Sequence, residues 1–104
     1  MARFFFDRLN CSFVKVNGGY TIIYDEHKYP VGVYDAAQIG FYYGTRVQVT
    51  PDSHGYIGEE IKTPGPGTIV RIWPEEYGDS FFEVRMDNGE HGVLPIKRLS
   101  EFEQ

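Results

Sequence analysis

Three histidines, one cysteine and several pairs of acids are the side chains of this 104-residue chain that could carry chemistry, and their spacing decides how much of it is available. His27, His54 and His91 lie too far apart for a local metal motif. None is followed by a second His or Cys at ligand spacing, so no metal and no cofactor is expected. Cys11 could pair with a histidine as nucleophile and base, yet it opens an apolar stretch, where cysteine serves as a small hydrophobe. As the single cysteine it allows neither an internal disulfide nor a zinc finger, and it fits a reducing, intracellular, cytoplasmic setting. Ser53-His54-Gly55 sets a hydroxyl beside an imidazole, but adjacent residues cannot easily aim at each other, and the stretch reads as a turn. In Gly65-Pro66-Gly67 the proline lacks the N–H donor a phosphate cradle needs, and a strand follows, so this is a hinge from loop to strand. The acid pairs Asp25-Glu26, Glu59-Glu60 and Glu75-Glu76 fall in loops, where neighbouring carboxylates point apart into water. The chain is therefore read as not an enzyme.

One grouping remains, and it is aromatic and acidic. Trp73, Tyr77 and Phe81 are interleaved with Glu75, Glu76 and Asp79 between two expected strands, and ring faces in negative surroundings suit a cationic side chain. These six residues are the expected contact for a basic protein or peptide segment. The competing reading makes Trp73 and Phe81 cross-strand packing partners and the acids a solvated loop.

The chain that must position these residues is 12.0 kDa, enough for one compact domain, and is 41% hydrophobic and 16% aromatic. Its net charge of −5 has the wrong sign for holding nucleic acid through phosphate neutralisation. No run approaches the roughly 20 apolar residues that span a bilayer, and Phe4, Phe5 and Phe6 are followed at once by Asp7 and Arg8, too short a stretch for a signal peptide. No membrane partner is expected.

Charge and aromatics divide at Gly44. Residues 1–43 hold four basic and four acidic side chains, and residues 44–104 hold six and eleven, so the whole −5 belongs to the second part. Eleven of the aromatics lie in the first 43 residues and six in the rest. The first part is expected to be a β-hairpin extension that packs on a small barrel formed by the second, because so many rings exceed what two hairpins bury between themselves.

Twelve glycines and six prolines leave little room for helices of ordinary length. Strands are expected at 12–16 and 20–24 around the turn Asn17-Gly18-Gly19, and at 31–34 after Pro30. Residues 35–39 are expected to form one helical turn capped by Asp35. Further strands follow at 45–50, 67–73, 80–86 and 90–94. In 67–73, Val70 and Ile72 should face one way and Ile69, Arg71 and Trp73 the other. A breaker-rich loop spans 51–66, with Tyr56, Ile57 and Ile61 folding back over the core. The turn Asp87-Asn88-Gly89 should hold Asn88 and Gly89 at positive φ. A 3₁₀ turn at 95–98 then leads to a closing strand or tail at 99–102. The class is all-β.

This layout, with Gly67-Thr68-Ile69-Val70, the strand from Phe82 to Met86, the turn Asp87-Asn88-Gly89, Val93 and Arg98-Leu99, resembles the SH3-like small barrel of Tudor, Agenet and Mib/Herc2 domains over residues 44–104. Tudor domains that read methylated side chains place an aromatic between the Asp and Gly of that turn, where this chain has Asn88. A cage would thus have to come from Trp73, Tyr77 and Phe81. The resemblance implies a non-catalytic interaction module. Two other readings are a small enzyme or ligand binder using His54 or His91 with nearby acids between the two parts, and a structural subunit that forms a homodimer through edge strands or Phe4, Phe5 and Phe6.

Overall fold

Alternating apolar and polar residues broken by glycine, proline and aspartate give nine strands in the computed structural model, which describes residues 10–102. The phenylalanines at 4–6 lie outside the described residues. β1 (Ser12–Lys15), β2 (Thr21–Tyr24), β3 (Pro30–Tyr34) and β4 (Gly40–Tyr42) form an antiparallel sheet in which each strand pairs with the next. β5 (Arg46–Val49), β6 (Gly65–Trp73), β7 (Phe81–Met86), β8 (His91–Pro95) and β9 (Leu99–Glu101) form a second sheet in the order β8-β7-β6-β5-β9. A 3₁₀ turn at Ile96–Arg98 carries the chain from β8 to β9, whose Leu99 pairs with Val49. The protein is all-β, as its pattern of breakers predicts.

Three turns are built alike, and each begins with an aspartate. The N–H groups of Asp25, Asp35 and Asp52 donate to the carbonyls of Tyr29, Ile39 and Tyr56 at 2.9, 3.0 and 2.9 Å. Each carboxylate then accepts the amides two and four residues on, His27 and Tyr29, Ala37 and Ile39, His54 and Tyr56. The fourth residue of each turn takes positive φ: 69° at Lys28, 66° at Gln38 and 81° at Gly55. Residues 35–39 are therefore a hairpin connection and not the helical turn expected, since positive φ at Gln38 turns the chain back toward β3. At 86–90 the corresponding backbone bonds run from Met86 N–H to Glu90 and from Gly89 N–H to Met86. There only Gly89, at φ 97°, is left-handed. Asn88 instead uses its side-chain oxygen to accept the Glu90 N–H at 2.8 Å, so the expectation of positive φ at both residues fails.

β6 departs from simple alternation. Its register with β7 slips between Ile69 and Arg71, placing Val70 in a bulge. One extra residue reverses the phase, so Ile69 and Ile72 are both buried while Arg71 and Trp73 face outward. The expected grouping of Val70 with Ile72 is corrected accordingly. Gly65 and Pro66 belong to β6 and pair with Val49 and Gln48, so the presumed hinge is part of the ladder.

Both sheets feed one core. Ile22, Val33 and Phe41 from the first join Val47, Val49, Ile69, Phe82, Val84, Leu94 and Leu99 from the second. Phe41 meets Phe82 edge to face at 6.1 Å between ring centres. Ile57 and Ile61 of the long loop complete the core as expected, but Tyr56 stays exposed.

Candidate functional site

Antiparallel pairing of β6 with β7 sets Trp73 directly opposite Phe81, and Phe81 in turn opposite Pro95 of β8. All three lie at the same end of the second sheet, on the face away from Ile72 and Phe82. Trp73 is 40% and Phe81 39% exposed. Neither is a fully buried packing residue, and neither is wholly in solvent. The loop between them carries Glu75, Glu76, Tyr77 and Asp79, all exposed, with Tyr77 at 90%. Its base is tied down by Ser80, a buried hydroxyl that accepts the Glu75 N–H at 3.1 Å, while the Ser80 carbonyl accepts the Ile96 N–H.

The acids of this loop also reach the first sheet. Burial, then the nearby carboxylates of Glu76 and Glu75, push the Tyr24 phenol of β2 above its ordinary value. Asp79 faces Lys97 at 4.0 Å across the surface. All six residues read from the sequence are thus on one end of the molecule. The surroundings of the ring differ from those of an empty cage, because the Arg71 guanidinium lies 5.7 Å from the Trp73 ring centre.

Sequence reasoning missed the row of charge next to this patch. Arg71, Glu83 and His91 occupy outward positions on β6, β7 and β8. His91 Nε2 approaches Glu83 Oε2 at 2.6 Å and Arg71 Nε lies 4.0 Å from Glu83 Oε1. Arg71 was expected on the face of Trp73 and Glu83 alternates with Phe82 and Val84, but His91 meets Glu83 diagonally across β8 and β7, a contact that spacing along one strand does not show. His54 is exposed in the turn led by Asp52, and His27 pairs with Glu26 at 3.4 Å. Among the described residues no three His, Cys, Asp or Glu side chains are grouped to hold a metal ion. No helix among them is long and apolar enough to cross a membrane.

Apart from this patch, a cleft of about 530 Å³ opens between the long loop at 56–61 and the run from Gly92 to Pro95. Neither His54 nor His91 lines it. Asp52 stands at its rim, where the Tyr56 and His54 amides, with Arg98 and Lys97 further off, hold its carboxyl below the usual range.

At the opposite end of the second sheet Arg46 joins three segments. It donates to both oxygens of Asp87 at 2.6 Å, donates to Thr68 at 3.1 Å, and lies 5.0 Å from the ring centre of Phe102. This arrangement is structural, linking β5, β6, the turn after β7 and the chain after β9.

Comparison with known proteins finds no match to this chain among family models, curated proteins or solved structures.

Proposed function

We propose that this chain is a non-catalytic interaction module that binds a basic protein or peptide segment at the end of the second sheet, with Trp73 and Phe81 as apolar contacts and Glu75, Glu76 and Asp79 as the charged rim. The observation that carries this reading is the partial exposure of the paired rings beside a loop of exposed acids. Aromatic anchors surrounded by polar groups are what interfaces concentrate their affinity on. Arg71 over the Trp73 ring deepens the reading, since the chain's own cation occupies the position a partner's cation would take.

An SH3-like barrel of the Tudor, Agenet and Mib/Herc2 type is part of the same proposal. It is supported by the strand order β9-β5-β6-β7-β8, the long loop after β5 and the 3₁₀ turn before β9. A cytoplasmic, reducing setting is proposed with it, on the support of the single cysteine.

Binding of a lysine- and arginine-rich synthetic peptide to the full chain, read by fluorescence anisotropy, tests the function. Trp73→Ala should weaken it by about tenfold while leaving most of the stability, because the ring is only partly buried. Added salt should weaken it further. Arg71→Ala should strengthen it by releasing the ring face. A badly destabilised Trp73→Ala with unchanged affinity per folded molecule would show a packing residue and remove the site.

A further inference from the structure

β8 has one side unpaired, and the ladder register identifies which of its residues face that side. Hydrogen-bonded and non-hydrogen-bonded pairs alternate along an antiparallel ladder. The Met86 N–H donates to Glu90 at 2.8 Å and the Ile96 N–H to Ser80 at 3.2 Å. Counting inward through the register between these two points, Gly92 and Leu94 bond to β7, and His91 and Val93 turn their N–H and C=O groups away from it. β8 ends the sheet, and among the described residues no hydrogen bond reaches those outward groups. Beside them lies the cleft of about 530 Å³. Ile61 and Leu94 form its buried apolar floor, Val93 is 44% exposed, and Glu59 and Glu60 stand exposed on the loop side.

We propose that the β8 edge accepts an extended peptide as an additional strand, and that this peptide presents a basic residue to Glu59 and Glu60. The Val93 N–H and C=O supply the backbone pairing, alternate peptide side chains enter the cleft, and Pro95, which has no N–H, ends the pairing. Charge complementarity selects this occupant. Of the cations at or beside the cleft, Lys97 faces Asp79 at 4.0 Å, Arg98 points at the Thr50 carbonyl at 3.5 Å and Lys62 donates to the Gly58 carbonyl at 3.4 Å, whereas among the described residues Glu59 and Glu60 have no ion pair. A second copy would bring another chain of net charge −5 against these acids, and a basic segment would neutralise them. The class of partner rests on the interaction-module reading, but the surface is a different one.

The test uses the full chain and a short capped synthetic peptide of alternating valine and lysine, followed by amide hydrogen exchange. The His91 and Val93 amides should become protected when the peptide is added. Val93→Pro should weaken binding by about tenfold or more, because proline removes an outward donor and leaves the bonds to β7 intact. The same peptide N-methylated at alternate residues should fail to protect those amides, and in Trp73→Ala, where the other surface has lost its anchor, the unmethylated peptide should still protect them. Unaltered exchange at Val93, or equal protection by the N-methylated peptide, overturns the proposal and leaves the Trp73 surface standing. Light scattering that shows a wild-type dimer and a monomeric Val93→Pro assigns the edge to a second copy and also overturns it. Should Val93→Pro not fold, wild-type exchange and the N-methylated peptide decide the matter.

Discussion

In the sheet of β1 to β4 every strand pairs with its neighbour in sequence, whereas in the sheet of β5 to β9 the first strand pairs with the last. The first sheet can be specified locally, and its chemistry shows it. Asp25 and Asp35 each satisfy two amides of their own turn, and Tyr42 lies against the backbone of Gly32 and Gly40, with its hydroxyl 2.6 Å from that of Tyr34. The second sheet depends on partners far away in sequence, although both sheets bury residues fully: Val47, Val49, Ile69, Phe82, Val84 and Leu94 in the second, Ile22, Ile23 and Val33 in the first. Local turns define one region and long-range pairing defines the other. The contact of Phe41 with Phe82 joins them.

Phe82→Ala strikes that junction and should have the largest effect, about 3–5 kcal/mol, from lost burial and the cavity left behind. Denaturant unfolding followed both by near-ultraviolet circular dichroism and by exchange at β2 amides would show one shared transition. Two separated transitions would mean that the sheets are independent.

Gly67 tests the interior of the second sheet more gently. A Cβ there would come within 2.7 Å of Val84 Cγ1 and 3.0 Å of the Arg85 carbonyl. Gly67→Val should therefore cost about 1–3 kcal/mol through overpacking, read as a lowered denaturation midpoint.

Turn backbone gives smaller effects of opposite sign in the two sheets. Gly89→Val, at φ 97° with open space around it, should cost about 1 kcal/mol by strain alone. Lys28→Gly and Gln38→Gly relieve positive φ in the first sheet and should each gain up to about 1 kcal/mol, less the entropy that glycine loses on folding. Loss of stability in both glycine variants would show that these side chains contribute contacts that outweigh the strain.

The gentlest probe is pH. Arg46 holds the Asp87 carboxyl below the usual carboxylate range, and Asn88 with the Lys62 amide does the same for Glu90. Because these folded values are depressed, the stability they supply is present above the ordinary carboxylate value and is lost as pH falls toward the folded one. Acid titration of the melting temperature should show this decline, and Asp87→Asn should flatten part of it. An identical pH profile in that variant would remove the ion pair as a contributor.

Much of the second sheet was legible because Phe82, Val84 and Met86 alternate with outward residues and because Asn88-Gly89 marks a hairpin. The long loop was recognisable from its prolines and glycines, and its Ile57 and Ile61 from their isolation among polar residues. What escaped notice depended on a single inserted residue or a single backbone angle. The bulge at Val70 leaves no mark in composition, yet it decides that Ile69 is buried with Ile72 and does not face outward with Arg71 and Trp73. Positive φ at Gln38 was hidden because glutamine gives no sign of it, and with it went the hairpin that makes β4. The candidate patch was visible as six residues close in sequence, while the cleft was not, since Glu59 and Val93 come together only through the fold.

The pairing of β5 with β9 has a consequence for synthesis. Ser100 bonds to Gln48 from 52 positions downstream. A ribosome adding about 5–20 residues per second would leave that edge of β5 without its neighbour for roughly 3–10 s after Gln48 is made. During that interval the nascent chain displays an open strand flanked by Val47 and Val49, a target for chaperones and for other unfinished chains. The brevity of β5 and the charge of Arg46 at its start are the protections it carries until Leu99 arrives.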